Sequence, residues 1–570
     1  MREPGETVRR ITRFAAAALF VAAVGAFAIA APDPAAAPAD LVLRRGQVYT
    51  LDAPRRWAES IAIRDGRIVS VGSDVEVASH VGAGTQIIDL AGRMVLPGFH
   101  DSHVHPLAGG VELGQCSLSG LATPAAVFAK IGTCAAALPA AAWVVGGGFE
   151  LTMFPGGNPR REDLDRVVSD RPAVFSSTDG HSSWVNSRAL AIAGVTRDTP
   201  DPPGGRIERD ETGAPSGTLR ESAAALVGAH VPPVTPAERR AGLRRGLEMA
   251  ARFGVTSFIE ASADAAELGT YEEAAREGWL SARVTVSQRL DAAAGEGAVP
   301  ALAVRARRAA GPRLRADSAK LFIDGVIEGG TAALDEPYVG RGEDRGELLL
   351  EPAVLARVAV ALARERLQLH AHAIGDRAIR VTLDAIEAAR AATGWTDARP
   401  HLAHIQLLPP AQVARVRGLG AAANVQALWA YEDPFITDLT VPRLGADRSR
   451  WLYPIGSLLA GGAVVVGGSD WSVTSMNPLE AIEVGMTRRA PGSGPGPAWI
   501  PEERATLSAM LAAYTINGAW LQRAEAERGS IEVGKLADLV VLDRNLFDVP
   551  PHEISRVKVV KTLLEGKDLF

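Results

Sequence analysis

The chain has 570 residues, 47% of them hydrophobic and 22% charged, a globular composition at a length that suits one large barrel with additions or several smaller domains. A formal net charge of −6 shows no basic excess of the kind nucleic acid attracts, so no nucleic-acid partner is expected. Two cysteines without a Cys-x-x-Cys spacing argue against a thiolate metal site, whereas eleven histidines, two pairs of them spaced His-x-His, direct attention to imidazole ligands.

In chain order, Arg9, Arg10 and Arg13 precede an almost uninterrupted apolar run from Phe14 to Ala31, and an Ala-Pro-rich stretch follows to Asp40. The basic start, apolar core and small residues at Ala28-Ile29-Ala30 read as a signal peptide with its linker over residues 1–38, cleaved between Ala30 and Ala39. The mature protein is then expected in the periplasm or outside the cell, without a stable membrane partner. The alternative is an uncleaved anchor, since about 18 apolar residues just span a bilayer. Export would allow Cys116 and Cys134 to pair; two unpaired thiols are the other reading.

From 41 to 95 short β-prone runs alternate with turns, as in Ser60-Ile61-Ala62-Ile63 before Asp65-Gly66 and Ile68-Val69-Ser70-Val71 before Gly72. The tail from Gly529 to Phe570 reads the same way, through Leu539-Val540-Val541-Leu542 and Val557-Lys558-Val559-Val560. Residues 39–96 and 524–570 are therefore expected to form one small β-sandwich domain from both chain ends. Between them, residues 97–523 alternate strand and helix. His370-Ala371-His372 closes a strand, and Gly375-Asp376 opens an amphipathic helix to about Arg390, with Ile379, Leu383 and Ile386 on one face. Leu402 to Ile405 forms the next strand, Pro409-Pro410 starts the following helix, and 421–426 and 463–466 repeat the pattern. Repeated βα units over roughly 400 residues predict an α/β fold, a TIM-like (β/α)8 barrel. Segments 198–205, 338–350 and 490–501 read as loop-like insertions.

The chemistry starts at Pro97-Gly98-Phe99-His100-Asp101-Ser102-His103-Val104-His105. Alternate strand residues share a face, so His103 and His105 can converge on one metal ion. His372 and His404 fall at later strand ends, and Asp470 follows Val464-Val465-Val466 and Gly467-Gly468-Ser469. Carboxyl ends of barrel strands meet at one mouth, and imidazole with carboxylate suits zinc or a similar divalent ion.

With these residues in place, the chain resembles the amidohydrolase superfamily, and within it the amidohydrolase-3 branch of YtcJ-type proteins and N-substituted formamide deformylases. The matching stretches are Pro97 to His105, Gly180-His181-Ser182-Ser183-Trp184-Val185-Asn186-Ser187, Lys320-Leu321-Phe322-Ile323-Asp324-Gly325, His372-Ala373-Ile374-Gly375-Asp376, His404-Ile405-Gln406, Gly468-Ser469-Asp470 and Gly529 to Leu539. The resemblance implies that Lys320, which by itself reads as an edge residue, carries a carbamate bridging two metal ions. His103, His105 and Asp470 would then hold one ion, and His372 and His404 the other. It also implies hydrolysis of a small linear amide-type substrate, an N-formyl or N-acyl amine or a carbamate. Asp470 would be the general base and then acid, and His181, Trp184 and Asn186 would lie on the substrate side.

Cyclic amide or imide hydrolysis, or deamination, is the alternative chemistry. An exported non-catalytic binding protein is the alternative class; lost ligands would mark it, and all six positions are filled. His370 and His401 read as core or supporting residues, and Asp324 as either a group steering Lys320 or a turn residue. Trp429, Tyr431 and Trp471 read as barrel packing or pocket wall. Homo-oligomerisation is left open.

Overall fold

The computed structural model describes residues 37–570 except 55, 140 and 141, so nearly all of the expected leader lies outside the described residues. Among the described residues no helix is long and apolar enough to cross a membrane.

Eight parallel strands form the central sheet: β1 (Phe99–Val104), β2 (Val255–Ala263), β3 (Arg283–Arg289), β4 (Leu314–Phe322), β5 (Gln368–Ala373), β6 (His401–His404), β7 (Ala422–Val425) and β8 (Val464–Gly467), each paired with the next in sequence. The segment leaving β8 returns to β1. Asp470 N donates to the His103 carbonyl at 2.7 Å, and His105 N donates to the Trp471 carbonyl at 2.8 Å. Ser469 N donates to Asp101 Oδ1 at 3.0 Å. The sheet is thereby a TIM-like barrel. Every residue of β1, β5, β6 and β7 is buried, as expected of strands with one face on the barrel interior and the other under helices.

The helices are fixed by local chemistry. Thr235 and Glu238 form a capping box at the start of the helix Pro236–Arg252. That helix lies so close to Pro106–Glu112 that a Cβ at Gly246 would stand 2.3 Å from the Pro106 carbonyl oxygen. The helix Asp376–Thr393 runs three residues past the expected Arg390 and stops at Gly394, whose left-handed conformation ends it.

Both chain ends build two packed sheets. Met94–Pro97, just ahead of β1, pairs antiparallel with Leu539–Leu542. Leu43, Ile61, Ile63, Val95, Leu539 and Val541 fill the space between the sheets. The region expected as barrel also contains a separate six-stranded sheet between β1 and β2, running from Cys116–Ser117 to Pro215–Glu221. Its first strands are parallel and flank the helix Pro124–Ala137, so the alternation that announces a barrel unit announces this insert equally well. Cys116 and Cys134 form a disulfide that ties its edge strand to that helix.

Candidate metal centre

The barrel strands and the segments leaving them place all six expected donors within one cluster of polar groups. His103 sits at the end of β1, and its Nε2 lies 3.4 Å from Asp470 Oδ1. His105 has left the strand and precedes the helix Pro106–Glu112. Its Nε2 is 3.1 Å from the same Asp470 oxygen and its Nδ1 is 3.4 Å from Glu260 Oε1. One donor atom from each of His103, His105 and Asp470 lies within 4.8 Å of the others, a group able to hold a metal ion. His404 Nδ1 is 3.9 Å from Asp470 Oδ2, its ring centroid is 4.6 Å from that of His372, and it stacks parallel on Trp429. Asp470 and His404 both take left-handed backbone angles (φ 53 and φ 78), the kind of local strain that a site, rather than a packing optimum, maintains.

Lys320 lies in β4 opposite His370 of β5, 1% exposed, with Nζ 3.5 Å from His103 Nε2. Burial pulls its ammonium down to about 7, against the charges of Asp470 and Glu260. Burial would raise Asp470, but the histidines around it, His103 above all, hold its carboxyl well below the usual range.

Three buried atoms in this cluster make no well-formed hydrogen bond: Asp470 Oδ1, which only the His103 and His105 nitrogens approach, His404 Nδ1, and His372 Nδ1, which lies 3.5 Å from Asp324 Oδ1. Leaving such atoms bare costs about 1–3 kcal/mol each. Two imidazole nitrogens and a carboxylate oxygen are also the donor chemistry a zinc-like ion takes. The residues present therefore fit a divalent metal.

Beneath the donors runs a polar layer. His370 Nε2 lies 2.9 Å from His103 Nδ1 and His370 Nδ1 lies 2.8 Å from Ser287 Oγ, while its ring stacks on His401 at 3.9 Å. Asp324 neither steers Lys320 nor merely makes a turn. Fully buried, it accepts the backbone amides of Ala333, Ile374 and Gly375, so it pins the loop that follows β5, and its Oδ1 lies 3.5 Å from Nδ1 of His372 in that strand.

The stretch Gly180 to Ser187 divides. His181 reaches the site, with its ring 5.2 Å from that of His372 and its Nδ1 2.8 Å from Glu221 Oε2. Burial opposes charge on that ring, but Glu221 outweighs it and lifts the imidazole to about 9. Trp184 and Asn186, expected on the substrate side, are not there. Trp184 is fully buried against Phe149, Phe154 and Phe175 inside the insert and donates to the Arg160 carbonyl. Asn186 caps the helix Ser187–Ile192 by accepting the Ala189 amide, and its amide group donates to Val168 and Arg171. The reason is that the insert sheet has an apolar core on each face, with Trp184 in one and Val185 in the other, so only the turn before this strand faces the barrel.

A cavity of about 540 Å³ opens over the carboxyl ends of the strands, with His181, His372, His404 and Asp470 at its inner end. Trp429, Tyr431, Glu328 and Gln406 are among its walls, whereas Trp471 packs into the buried barrel core. Glu260 and Glu221 were missed by sequence reasoning. Glu260 had a signal, a lone carboxylate in the apolar run Phe258 to Ala261; Glu221 had none.

The profile of the amidohydrolase family matches residues 86–570, and the chain belongs to that family of hydrolases acting on carbon–nitrogen bonds other than peptide bonds. It is 32% identical over 555 residues to Protein LONG AFTER FAR-RED 3 of Arabidopsis thaliana, covering 94% of this chain and 92% of that one. It is 28% identical over 544 residues to the N-substituted formamide deformylase of Arthrobacter pascens, covering 92% of this chain and 97% of that one. A crystal structure of an uncharacterized metal-dependent hydrolase from Pyrococcus horikoshii has the same fold, with a TM-score of 0.70 at 24% identity over 90% of this chain and 99% of that one.

Proposed function

We propose that the protein hydrolyses a linear amide-type C–N bond, in an N-formyl or N-acyl amine or a carbamate, at a divalent-metal centre held by His103, His105, Asp470, Lys320, His372 and His404. The observation that carries this is the set of buried donors without a well-formed hydrogen bond, Asp470 Oδ1, His404 Nδ1 and His372 Nδ1, at the inner end of the cavity. The deformylase relative, by its name, acts on N-substituted formamides, which supports an acyclic amide. The donor set favours zinc.

When bound, the metal supplies Lewis acidity toward the substrate carbonyl and the attacking water. The remaining work falls to the chain. Asp470 takes a proton from water as its oxygen bonds to the carbonyl carbon, then delivers that proton to the nitrogen as the C–N bond breaks, leaving acid and amine. The protonated His181 ring, held by Glu221, donates to the carbonyl oxygen as negative charge grows there. Lys320, kept from full protonation by burial, suits capture of CO₂: its lone pair would bond to carbon and a proton would leave, and the resulting carbamate would offer oxygen donors to bound metal. The Cys116–Cys134 disulfide supports export after leader cleavage, since such bonds persist in oxidising compartments.

The test is metal quantification on the purified protein together with hydrolysis of formamides, N-acyl amines, carbamates and cyclic imides. Stoichiometric metal with metal-stimulated cleavage of the linear amides is expected. Substoichiometric metal without metal-stimulated hydrolysis would overturn the proposal.

A further inference from the structure

The outer part of the cavity carries a charge that hydrolysis of a neutral amide does not require. Five carboxylates line it (Glu150, Asp179, Glu328, Asp433 and Glu480), and no lysine or arginine does. The hydrogen-bond donors that the structure shows on them are neutral, although Arg443 lies near enough to Glu328, and His181 to Asp179, to interact by charge. Glu328 Oε1 accepts from Gln406 Nε2 at 2.7 Å and from Thr440 Oγ1 at 2.6 Å. Asp433 Oδ1 accepts the Ile436 amide at 2.9 Å, and Glu480 accepts from Asn477. The cationic ring of His181 is matched by its own partner, Glu221.

These carboxylates repel one another. Burial raises Asp433 to about 6, and the charge of Glu328 adds to the shift. Burial raises Glu150 as well, with Asp179 and Asp433 adding to it. A cation placed among them would relieve that repulsion. Aromatic side chains, Trp429, Tyr431, Phe435 and Tyr453, share the same walls. Such faces attract organic ammonium groups and are no ligands for metal ions. The wall is joined to the reacting end, because the ring of Trp429 stacks on His404. Asp470 and His404, 6% and 3% exposed, present Oδ1 and Nδ1, neither in a well-formed hydrogen bond, at the inner end of this same cavity.

We propose that the substrate is a monoacylated diamine or polyamine, its amide carbonyl at the metal donors and its free ammonium held by Glu328, Asp433 and the aromatic wall. This rests on the amide-hydrolase reading above and names the substrate class for it. Water adds across the amide C–N bond, the acyl group leaves as a carboxylic acid, and the nitrogen gains a proton to give the free diamine. N-acyl amino acids with a free carboxylate are excluded, since that carboxylate would face the acidic wall.

The experiment uses three formamides of matched length on the metal-loaded enzyme: N-formylcadaverine, N-formylhexylamine and N-formylaminohexanoate. kcat/KM for the cationic substrate should exceed that for the neutral one by about 100-fold, and the anionic one should be poorest. Glu328→Gln with Asp433→Asn should remove most of that preference. Cadaverine alone, followed by calorimetry, should bind the wild-type protein and lose its affinity in the same variant, whatever the metal content. Equal cleavage of the cationic and neutral formamides, or no cadaverine binding, overturns this inference and leaves the amide reading standing. Cadaverine binding without cleavage of any amide supports the cation pocket and overturns the amide reading instead.

Discussion

Asp470 keeps its charge in a place where burial alone would remove it, because three imidazoles surround it. Asp470→Asn should therefore lose both a metal donor and the proton carrier, lowering kcat by roughly 10²–10⁴-fold with reduced metal content. A rate within a few-fold of wild type would remove Asp470 from the mechanism. Lys320 makes a separate prediction. The metal-loaded protein should carry the mass of one CO₂ on that residue by native mass spectrometry, and Lys320→Ala should lose both that mass and bound metal. Full metal content and rate in the variant would exclude a bridging carbamate.

His181 titrates in the folded protein near 9 against 6.5 for the free imidazole. The His181–Glu221 pair thus stabilises the fold fully below about pH 6.5, and the contribution fades as pH rises through about 9. On the proposed role, kcat/KM should fall over the same alkaline window. In Glu221→Gln the fall should begin closer to neutrality, and an unchanged alkaline limb would show that His181 does not donate to the substrate. At this scale His103, His105, His372, His404 and Asp470 were legible because each ends, or follows, a recognisable strand. Lys320 came from resemblance alone, since a lysine before Leu-Phe-Ile carries no local mark of being buried.

At the scale of elements, the insert and the helix pair behind β1 set the positions of residues that reach the site. Reducing the Cys116–Cys134 disulfide opens a loop whose ends are 18 residues apart, and loop-closure entropy puts the cost at about 3 kcal/mol. The thermal midpoint should drop on reduction, and an unchanged midpoint would show that the insert is held by its apolar cores alone. Gly246→Ala would drive a methyl group toward the Pro106 carbonyl. About 1–3 kcal/mol of overpacking is expected, with weaker metal binding because the displaced helix Pro106–Glu112 begins directly after His105; unaltered metal affinity would separate the helix pair from the site. The insert was the element hardest to read from sequence. Its parallel strands and helix repeat the barrel's own period, and the strand Ser182–Val185, buried on both faces, gives no sign that only the preceding turn looks toward the metal centre.

For the whole molecule, the barrel and the paired chain ends were legible because hydrophobic period and turn residues agree over long stretches. The links between them were not, since they join residues far apart in sequence. Arg283, at the start of β3, reaches Asp538 at 2.6 Å and Glu565 at 2.8 Å in the tail, with Arg283 and Asp538 both buried. Arg283→Ala strands a buried carboxylate and should cost roughly 3–5 kcal/mol, read as a lower urea midpoint; no change would mean that the tail is held by strand pairing alone.

That pairing has a consequence in time. Met94–Pro97 leads directly into β1, yet its neighbour Leu539–Leu542 is among the last segments to be synthesised. The strand that leads into β1 therefore gains this neighbour only when translation is nearly complete. A chain that ends before Leu539 would leave Met94–Pro97 without that partner directly beside β1, so the anchor of the first barrel strand is completed last.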